Sequence, residues 1–334
     1  MILLNSIADA KFIFELNKKY PGRRWDFMIS YNSMRKNRNI TYIKSLIEQG
    51  LTRNVYLDSG AYSVFYAGST VTLPEYRYFL DMFGRLFTMV FSYDSDFNDP
   101  EENCRAHFNL VNDLGFVRDS ATGKYVNRGA NGMKEPPIPA IHSIENAYKE
   151  FVEYVESGFD YIGIGVKYRD KGMAKIYMKE WPKIDKYRRE HKVKIHLLGK
   201  ISLLEDFYLE MQPDTADSTY YSIACQQGDI LYLGDEYKID KKTKIKTKTG
   251  SKRLYKVYLE ERRTPMPKKY TISSFKDTPE GDGFEKHLKD VYKFKASDLI
   301  GNDNNKSILN FCSLLEFQEY LTNKAAPAQA IITP

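Results

Sequence analysis

Cysteine is scarce in this chain. Cys104, Cys225 and Cys312 are the three in 334 residues, and they lie far apart. No CxxC or CxC pair exists, which argues against a zinc site built on neighbouring thiolates. Three cysteines are also a poor disulfide framework, so a reducing compartment is expected. Long apolar runs are missing as well. No stretch approaches the roughly 20 apolar residues of a membrane-spanning helix, and Met1-Ile2-Leu3-Leu4-Asn5 is too short for the apolar part of a signal peptide. A soluble cytoplasmic protein with no membrane partner is the expectation. Nor does one charge dominate: 50 Lys and Arg against 44 Asp and Glu leave +6. That is mild for a whole protein, so where the charge sits carries more information. With 42% hydrophobic and 28% charged residues, the composition is that of a globular chain.

What is present is alternation. Strand-like apolar runs fall at 25–30, 53–57, 86–93, 138–142, 161–166, 193–198 and, more weakly, 215–218. Helical spacing falls at 40–49, 74–83, 100–114, 144–158, onward from 166 to about 189, and at 203–211. Asp99 is placed to cap the helix that Pro100 opens. Regular strand–helix alternation calls for parallel pairing through right-handed crossovers. Seven such units before residue 220 predict an α/β fold of the (β/α)8 TIM-barrel kind, with a doubly wound sheet as the alternative. The pattern breaks near Gly228. Residues 229–285 read as a basic insertion, a hairpin arm with Thr249-Gly250-Ser251 as its turn signal. On this reading the barrel occupies 1–228, helices in 286–324 close it, and 325–334 form a loose tail.

Three carboxylates stand where buried runs end: Asp58, Asp94 and Asp217. Acids at strand ends of a barrel converge over one pocket. Asp58-Ser59-Gly60-Ala61-Tyr62-Ser63 joins an acid, small residues and an aromatic ring, a set that fits a planar polar ligand. The plainer alternative is an aspartate capping its own turn. Asp96 competes with Asp94, and Asp214 with Asp217; spacing alone does not choose. His142 ends the fourth run. Gly163 and Gly165 either admit a close neighbour or pack against a helix. Lys241, Lys242, Lys244, Lys246, Lys248, Lys252 and Arg253 concentrate cations in the insertion, where they suit nucleic-acid phosphates.

The ordered series of motifs over about 25–220 resembles the tRNA-guanine transglycosylase superfamily. That family carries Asp-Ser-Gly-Gly-(Phe/Tyr)-Gln where this chain has Asp58 to Ser63. Val90-Phe91-Ser92-Tyr93-Asp94, Tyr161-Ile162-Gly163-Ile164-Gly165 and His196-Leu197-Leu198-Gly199 are similar to later strands, and Asp217 falls at the family's nucleophile. The family's CxCxxC zinc cluster and later His are absent, and its Gln-Gly-Gly is replaced by His142-Ser143. In this the chain looks more like the DNA-guanine transglycosylases of phages and bacteria, which insert 7-deazaguanine bases into DNA; for a phage protein the compartment would be the host cytoplasm. A tRNA enzyme without zinc and a non-catalytic nucleic-acid-binding barrel are the alternatives. The resemblance implies that Asp217 is the nucleophile and Asp58 the proton-transfer group. It implies a base site of Ser59, Gly60, Tyr62, Asp94, His142, Gly163, Ile164, Gly165, Leu198 and Gly199, with Asp94 reading the base edge and Tyr62 and Leu198 on its two faces. DNA and a free 7-deazaguanine base are the implied partners, a need for accessory proteins being open, and no cofactor is implied.

Overall fold

The computed structural model describes the chain except residues 1, 37, 62–63, 65–67, 69, 96–98, 142, 144, 166–170, 200–210, 241, 259–269 and 330–334. The chain divides into two compact units, Met1–Ser218 and Thr219–Pro334. The boundary expected at 228 therefore moves to 218.

In the first unit β1 (Ile2–Ile7), α1 (Lys11–Lys19), β2 (Trp25–Ser30), α2 (Tyr31–Lys36), α3 (Asn39–Glu48) and β3 (Thr52–Asp58) come first. Then follow α4 (Leu73–Phe83), β4 (Met89–Val90), α5 (Pro100–Asp113), β5 (Phe116–Arg118) and β6 (Tyr125–Asn127). The unit ends with β7 (Ala140–Ile141), α6 (Ala147–Glu156), β8 (Tyr161–Gly165), α7 (Lys171–His191), β9 (Lys194–Leu198) and β10 (Thr215–Ser218). Eight strands form one sheet in the order β4-β3-β2-β1-β10-β9-β8-β7, every neighbouring pair parallel. The ladder is open between β4 and β7, which meet through a single parallel bridge, Phe91 with Ile138. Two hydrogen bonds hold that bridge: Ser92 N–H to the Ile138 carbonyl and Ile138 N–H to the Val90 carbonyl, both 2.8 Å. This is a mixed α/β unit compatible with a (β/α)8 barrel.

One strand was not legible in the sequence. β1 escapes the count because Asn5 and Ser6 break its apolar run, so the strand at 25–30 is the second and Asp58 ends the third. All eight strands lie before residue 219, and 286–324 contribute none. The β5–β6 hairpin is likewise an addition. The helix expected at 203–211 falls almost wholly outside the described residues.

Strand alternation sorts the side chains into two faces. Leu4, Met28, Tyr56, Phe91, Ile138 and Tyr161 form one buried cluster. It draws on both edge strands, so the sheet is curled and this is its inner face. On the other face Ile29, Leu57, Ile162, Ile164 and Ile195 are all fully buried. Burial on both faces is the signature of a covered parallel sheet. The helices start as their sequences dictate: Thr72 and Glu75 make a reciprocal capping box at α4, and Asp99 accepts the Glu102 N–H at 2.9 Å to open α5.

The second unit contains α8 (Tyr220–Gln226), β11 (Asp229–Ile239), β12 (Lys246–Tyr258), β13 (Tyr270–Thr271), α9 (Ile272–Lys276), α10 (Phe284–Asp290) and α11 (Asp303–Gln329). β11 and β12 are the expected hairpin, but its turn is not where Thr249-Gly250-Ser251 put it. The chain reverses between Asp240 and Ile245, where, among the described residues, Asp240 Oδ1 accepts the N–H groups of Lys242 (2.8 Å) and Thr243 (2.7 Å) and Lys244 takes a positive φ of 60°. Thr249 to Ser251 instead form a bulge in β12 opposite Glu236, with Gly250 at φ 80°. The free edge of β11 is covered by α11. Asn310 Oδ1 accepts the Leu231 N–H (2.7 Å), its Nδ2 donates to the Asp229 carbonyl (3.0 Å), and Ser313 Oγ donates to the Leu231 carbonyl (2.7 Å). α11 continues to Gln329, so the expected tail is helical as far as that residue. Among the described residues no helix is long and apolar enough to cross a membrane.

Candidate active site

Because the eight strands are parallel, their C-terminal ends share one end of the sheet. Asp58 is the last residue of β3, two residues after Tyr56 of the inner cluster, so its side chain is on the inner face. Asp217 pairs in register with Leu4 of the same cluster and is also on that face. Asp214 is not its equal: it precedes β10, and its carboxylate accepts the Ile195 N–H at 2.9 Å at the opposite end of the sheet. Asp94 follows β4 and is buried. Asp96 lies outside the described residues.

Asp58 senses the other two acids. Burial raises Asp58 most, Asp217 next, and Asp94 adds to both, while hydrogen bonds from the Gly60 N–H (3.0 Å) and Ser30 pull the other way; the result is a carboxyl pushed up to about 7. Asp58 keeps part of its surface open, at the end of its strand, although protein crowds it on most sides. Gly60 makes the turn possible. Its φ is +80°, and a Cβ there would stand 2.9 Å from Ser30 Oγ and 3.1 Å from the Asn32 nitrogen. Ser59 is buried behind it, its hydroxyl accepting the Ala61 N–H at 3.4 Å. Tyr76 is fully buried, its hydroxyl donating to the Phe91 carbonyl at 2.7 Å; burial first, then the charges of Asp58 and Asp94, raise it well above its ordinary value.

Asp217 is held differently. Oδ2 accepts from the Ser6 hydroxyl at 2.6 Å; Oδ1 accepts from the Gly199 N–H at 2.7 Å and meets His196 Nε2 at 3.2 Å. Behind it His196 Nδ1 lies 2.6 Å from Thr215 Oγ1, which in turn contacts the Tyr161 hydroxyl. Proton accounting orients this chain. Burial raises Tyr161 above its ordinary value, so it remains an O–H donor. If it donates to Thr215, Thr215 donates to Nδ1, and His196 presents Nε2–H to Asp217. Three donors then converge on one carboxyl group, the complement of a carboxylate.

The remaining expected residues divide. Leu198 packs against the inner cluster. Gly199 takes φ +71° and gives its N–H to Asp217, so it is a holder of that acid rather than a wall for a base. Gly163 does face inward, but what approaches it is Phe91: a Cβ would meet that ring at 3.3 Å. Gly165 pairs with Leu198 on the inner face. Ile164 is a correction: it is fully buried on the outer face, since period-two alternation sets it opposite Gly163 and Gly165. Tyr62, His142 and Lys241 lie outside the described residues.

The cations of the second unit also divide. Lys246 donates to both Glu280 oxygens at 2.8 Å, Lys248 meets Asp235 at 2.7 Å and Lys252 meets the same carboxylate at 3.7 Å. The Arg253 guanidinium lies over the Tyr255 ring at 5.8 Å. Lys242 and Lys244 are exposed on the hairpin turn.

Sequence reasoning missed His196, Ser6 and Ser30. His196 was quoted within a strand and given no role. The usable signal was a lone histidine in an apolar run, three residues before a Gly turn. Among the described residues no group of three or more His, Cys, Asp or Glu side chains is arranged to hold a metal ion. No protein-family model matches the chain, and no curated protein matches it.

Proposed function

We propose that the first unit is a (β/α)8-barrel base-exchange enzyme, which removes guanine from DNA and installs a 7-deazaguanine base through a covalent intermediate on Asp217. One observation carries this reading. Two neighbouring carboxyl groups have environments that divide their work: Asp58 is pushed up to about 7 beside a negative neighbour, whereas Asp217 is surrounded by donors. A poised acid–base group beside a fixed carboxylate is the pairing that double-displacement glycosyl transfer needs. The motif order from Asp58 to Asp217 supports guanine as the base, and the cation-rich hairpin supports a nucleic-acid substrate.

The target nucleotide must leave the base stack to reach such acids. An Asp217 oxygen attacks the sugar C1′, the C1′–N9 bond breaks, and protonated Asp58 gives its proton to the departing guanine nitrogen. The incoming 7-deazaguanine then surrenders its N9 proton to the Asp58 carboxylate. Its nitrogen attacks C1′, and the bond to Asp217 breaks. Two inversions restore the original anomeric configuration. One N-glycosidic bond replaces another, so neither a redox partner nor ATP enters the balance.

The test is incubation of the protein with labelled 7-deazaguanine base and either DNA or tRNA. Label in DNA, with guanine released in equal amount, is the expected result. Label in tRNA alone would transfer the reading to a zinc-less tRNA enzyme. Guanine release with no incorporation would mean a hydrolase.

His196 acts through Asp217 rather than on substrate. His196→Phe keeps a ring against Phe91, whose centroid is 4.6 Å away, but removes the donor to Asp217. A hydrogen bond to a charged group is worth ~1.5–3 kcal/mol, so single-turnover exchange should slow by about 10–100-fold. The loss should fall on the chemical step, with KM for DNA unchanged. A purely structural role would instead lower the melting temperature and leave the rate of the folded fraction intact.

A further inference from the structure

The hairpin of the second unit ends in a tip with an unusual composition. Beyond the bulge, Lys238, Ile239, Lys242, Thr243, Lys244 and Ile245 are all exposed. Ile239 and Ile245 keep 54% and 63% of their surface open, although they bracket a well-made turn. That turn is rigid. Besides the two N–H groups on Asp240 Oδ1, the Asp240 N–H donates to the Ile245 carbonyl at 3.0 Å and the Lys244 N–H to the Asp240 carbonyl at 2.9 Å. Ion pairing further down the ribbon occupies Lys246 and Lys248 with Glu280 and Asp235, whereas Lys238, Lys242 and Lys244 make no ion pair among the described residues. Ile239 pairs in register with Lys246, and Ile245 is the residue before Lys246, so alternation sends the two isoleucines to opposite faces of the ribbon.

A patch that docks on a protein surface would gather its apolar side chains on one face. Apolar groups on both faces of a narrow, cationic, hydrogen-bonded tip suit insertion between two stacked or paired surfaces. We propose that the 238–245 tip is a duplex-opening wedge: Lys238, Lys242 and Lys244 take phosphates of the nucleic acid, and Ile239 and Ile245 enter between bases and unstack them. Aliphatic wedges that part base steps are an established physical device, the unstacking cost being repaid by backbone contacts. A membrane is the weaker occupant. An interfacial segment presents Trp, Tyr or Phe at its apolar edge, and 238–254 holds no aromatic residue but is rich in lysine and threonine. The inference rests on the nucleic-acid substrate of the preceding reading and deepens it by naming how the base becomes accessible.

The experiment uses the full chain and a short DNA duplex carrying 2-aminopurine beside a guanine, with the matching single strand as control. Binding of the wild-type protein should raise 2-aminopurine fluorescence in the duplex several-fold. The Ile239→Ser/Ile245→Ser double variant should keep duplex affinity within about twofold and lose that rise. It should slow exchange on duplex at least ~10-fold while leaving exchange on the single strand unchanged. The Lys238→Ala/Lys242→Ala/Lys244→Ala triple variant should weaken both strands' binding and flatten the slope of log affinity against log salt by about 2–3. An undiminished fluorescence rise in the isoleucine variant overturns the wedge. So does isoleucine-dependent binding to vesicles of phosphatidylcholine and phosphatidylserine with no effect on DNA, which would assign the tip to a membrane. Because the fluorescence signal requires no bond-making, a protein that opens duplexes yet exchanges nothing would defeat the base-exchange reading and leave the wedge standing.

Discussion

Asp217→Asn is expected to eliminate base exchange, lowering the rate by roughly 10⁴-fold or more, as loss of a covalent nucleophile does. The substitution is chosen because the site can hold it. The amide oxygen takes the place of Oδ1 and still accepts from the Gly199 N–H and His196 Nε2. The amide nitrogen takes the place of Oδ2, and the Ser6 hydroxyl, which lies 2.6 Å from that atom, faces a donor and turns to accept instead of donate. Fold and DNA affinity should therefore persist, with binding within about twofold of wild type. Asp217→Ala is the worse experiment, because it strands three donors beside a void. Quenching the wild-type reaction in the absence of incoming base should trap a protein–DNA adduct, and peptide mapping should place it on Asp217. Exchange surviving in the asparagine variant, or an adduct on Asp58, would reverse the two roles.

The second large effect belongs to Asp58, and it has two signs. Asp58→Asn should slow exchange by about 10²–10⁴-fold, the usual worth of a positioned proton-transfer group. In the wild type, single-turnover adduct formation needs the protonated acid, so it should decline as pH rises through about 7. In the variant that decline should vanish. The same substitution should raise stability at high pH although it slows exchange. The Asp58 value when folded, about 7, lies above its ordinary 3.8, so the native state binds this proton more tightly than the unfolded chain. Its contribution is full below pH 4 and is lost as pH climbs to about 7, above which the native state carries a buried, repelled charge. The asparagine variant escapes that cost. Denaturant melts should show equal stability near pH 4 and a gap widening to ~2 kcal/mol at pH 8, smaller than complete burial would give because Asp58 is partly open to water. Equal stability of the two proteins at pH 8 would mean that neither burial nor the charges of Asp217 and Asp94 raise its proton affinity.

Much of the architecture could be read locally. Asp99 with Pro100 announces its helix by a side-chain group within reach of its own backbone, whereas the Thr72–Glu75 capping box was found only in the structure. Strand runs show because a parallel sheet covered on both faces demands continuous apolar stretches. Where local reading failed, one signal had two physical meanings. Thr249-Gly250-Ser251 was taken for the hairpin turn, yet glycine at positive φ serves a bulge as well as a reversal. The true turn rests on Asp240 and on a lysine in the left-handed region, which composition does not advertise. β1 was missed since Asn5 and Ser6 look like a loop until Ser6 is seen holding Asp217. Ile164 was placed in the site by motif and moved to the outer face by alternation.

By itself the sequence determined the strand–helix rhythm, the acids at strand ends and the cations of the hairpin, because each depends on neighbours a few residues away. Only the tertiary structure decided which acids meet. Register across parallel strands sent Asp214 to one end of the sheet and Asp217 to the other, and curling of the sheet brought Asp217 within the electrostatic reach of Asp58. A proton affinity set by burial and by a charge nearly half the chain away is a property of the folded molecule, and no local pattern encodes it.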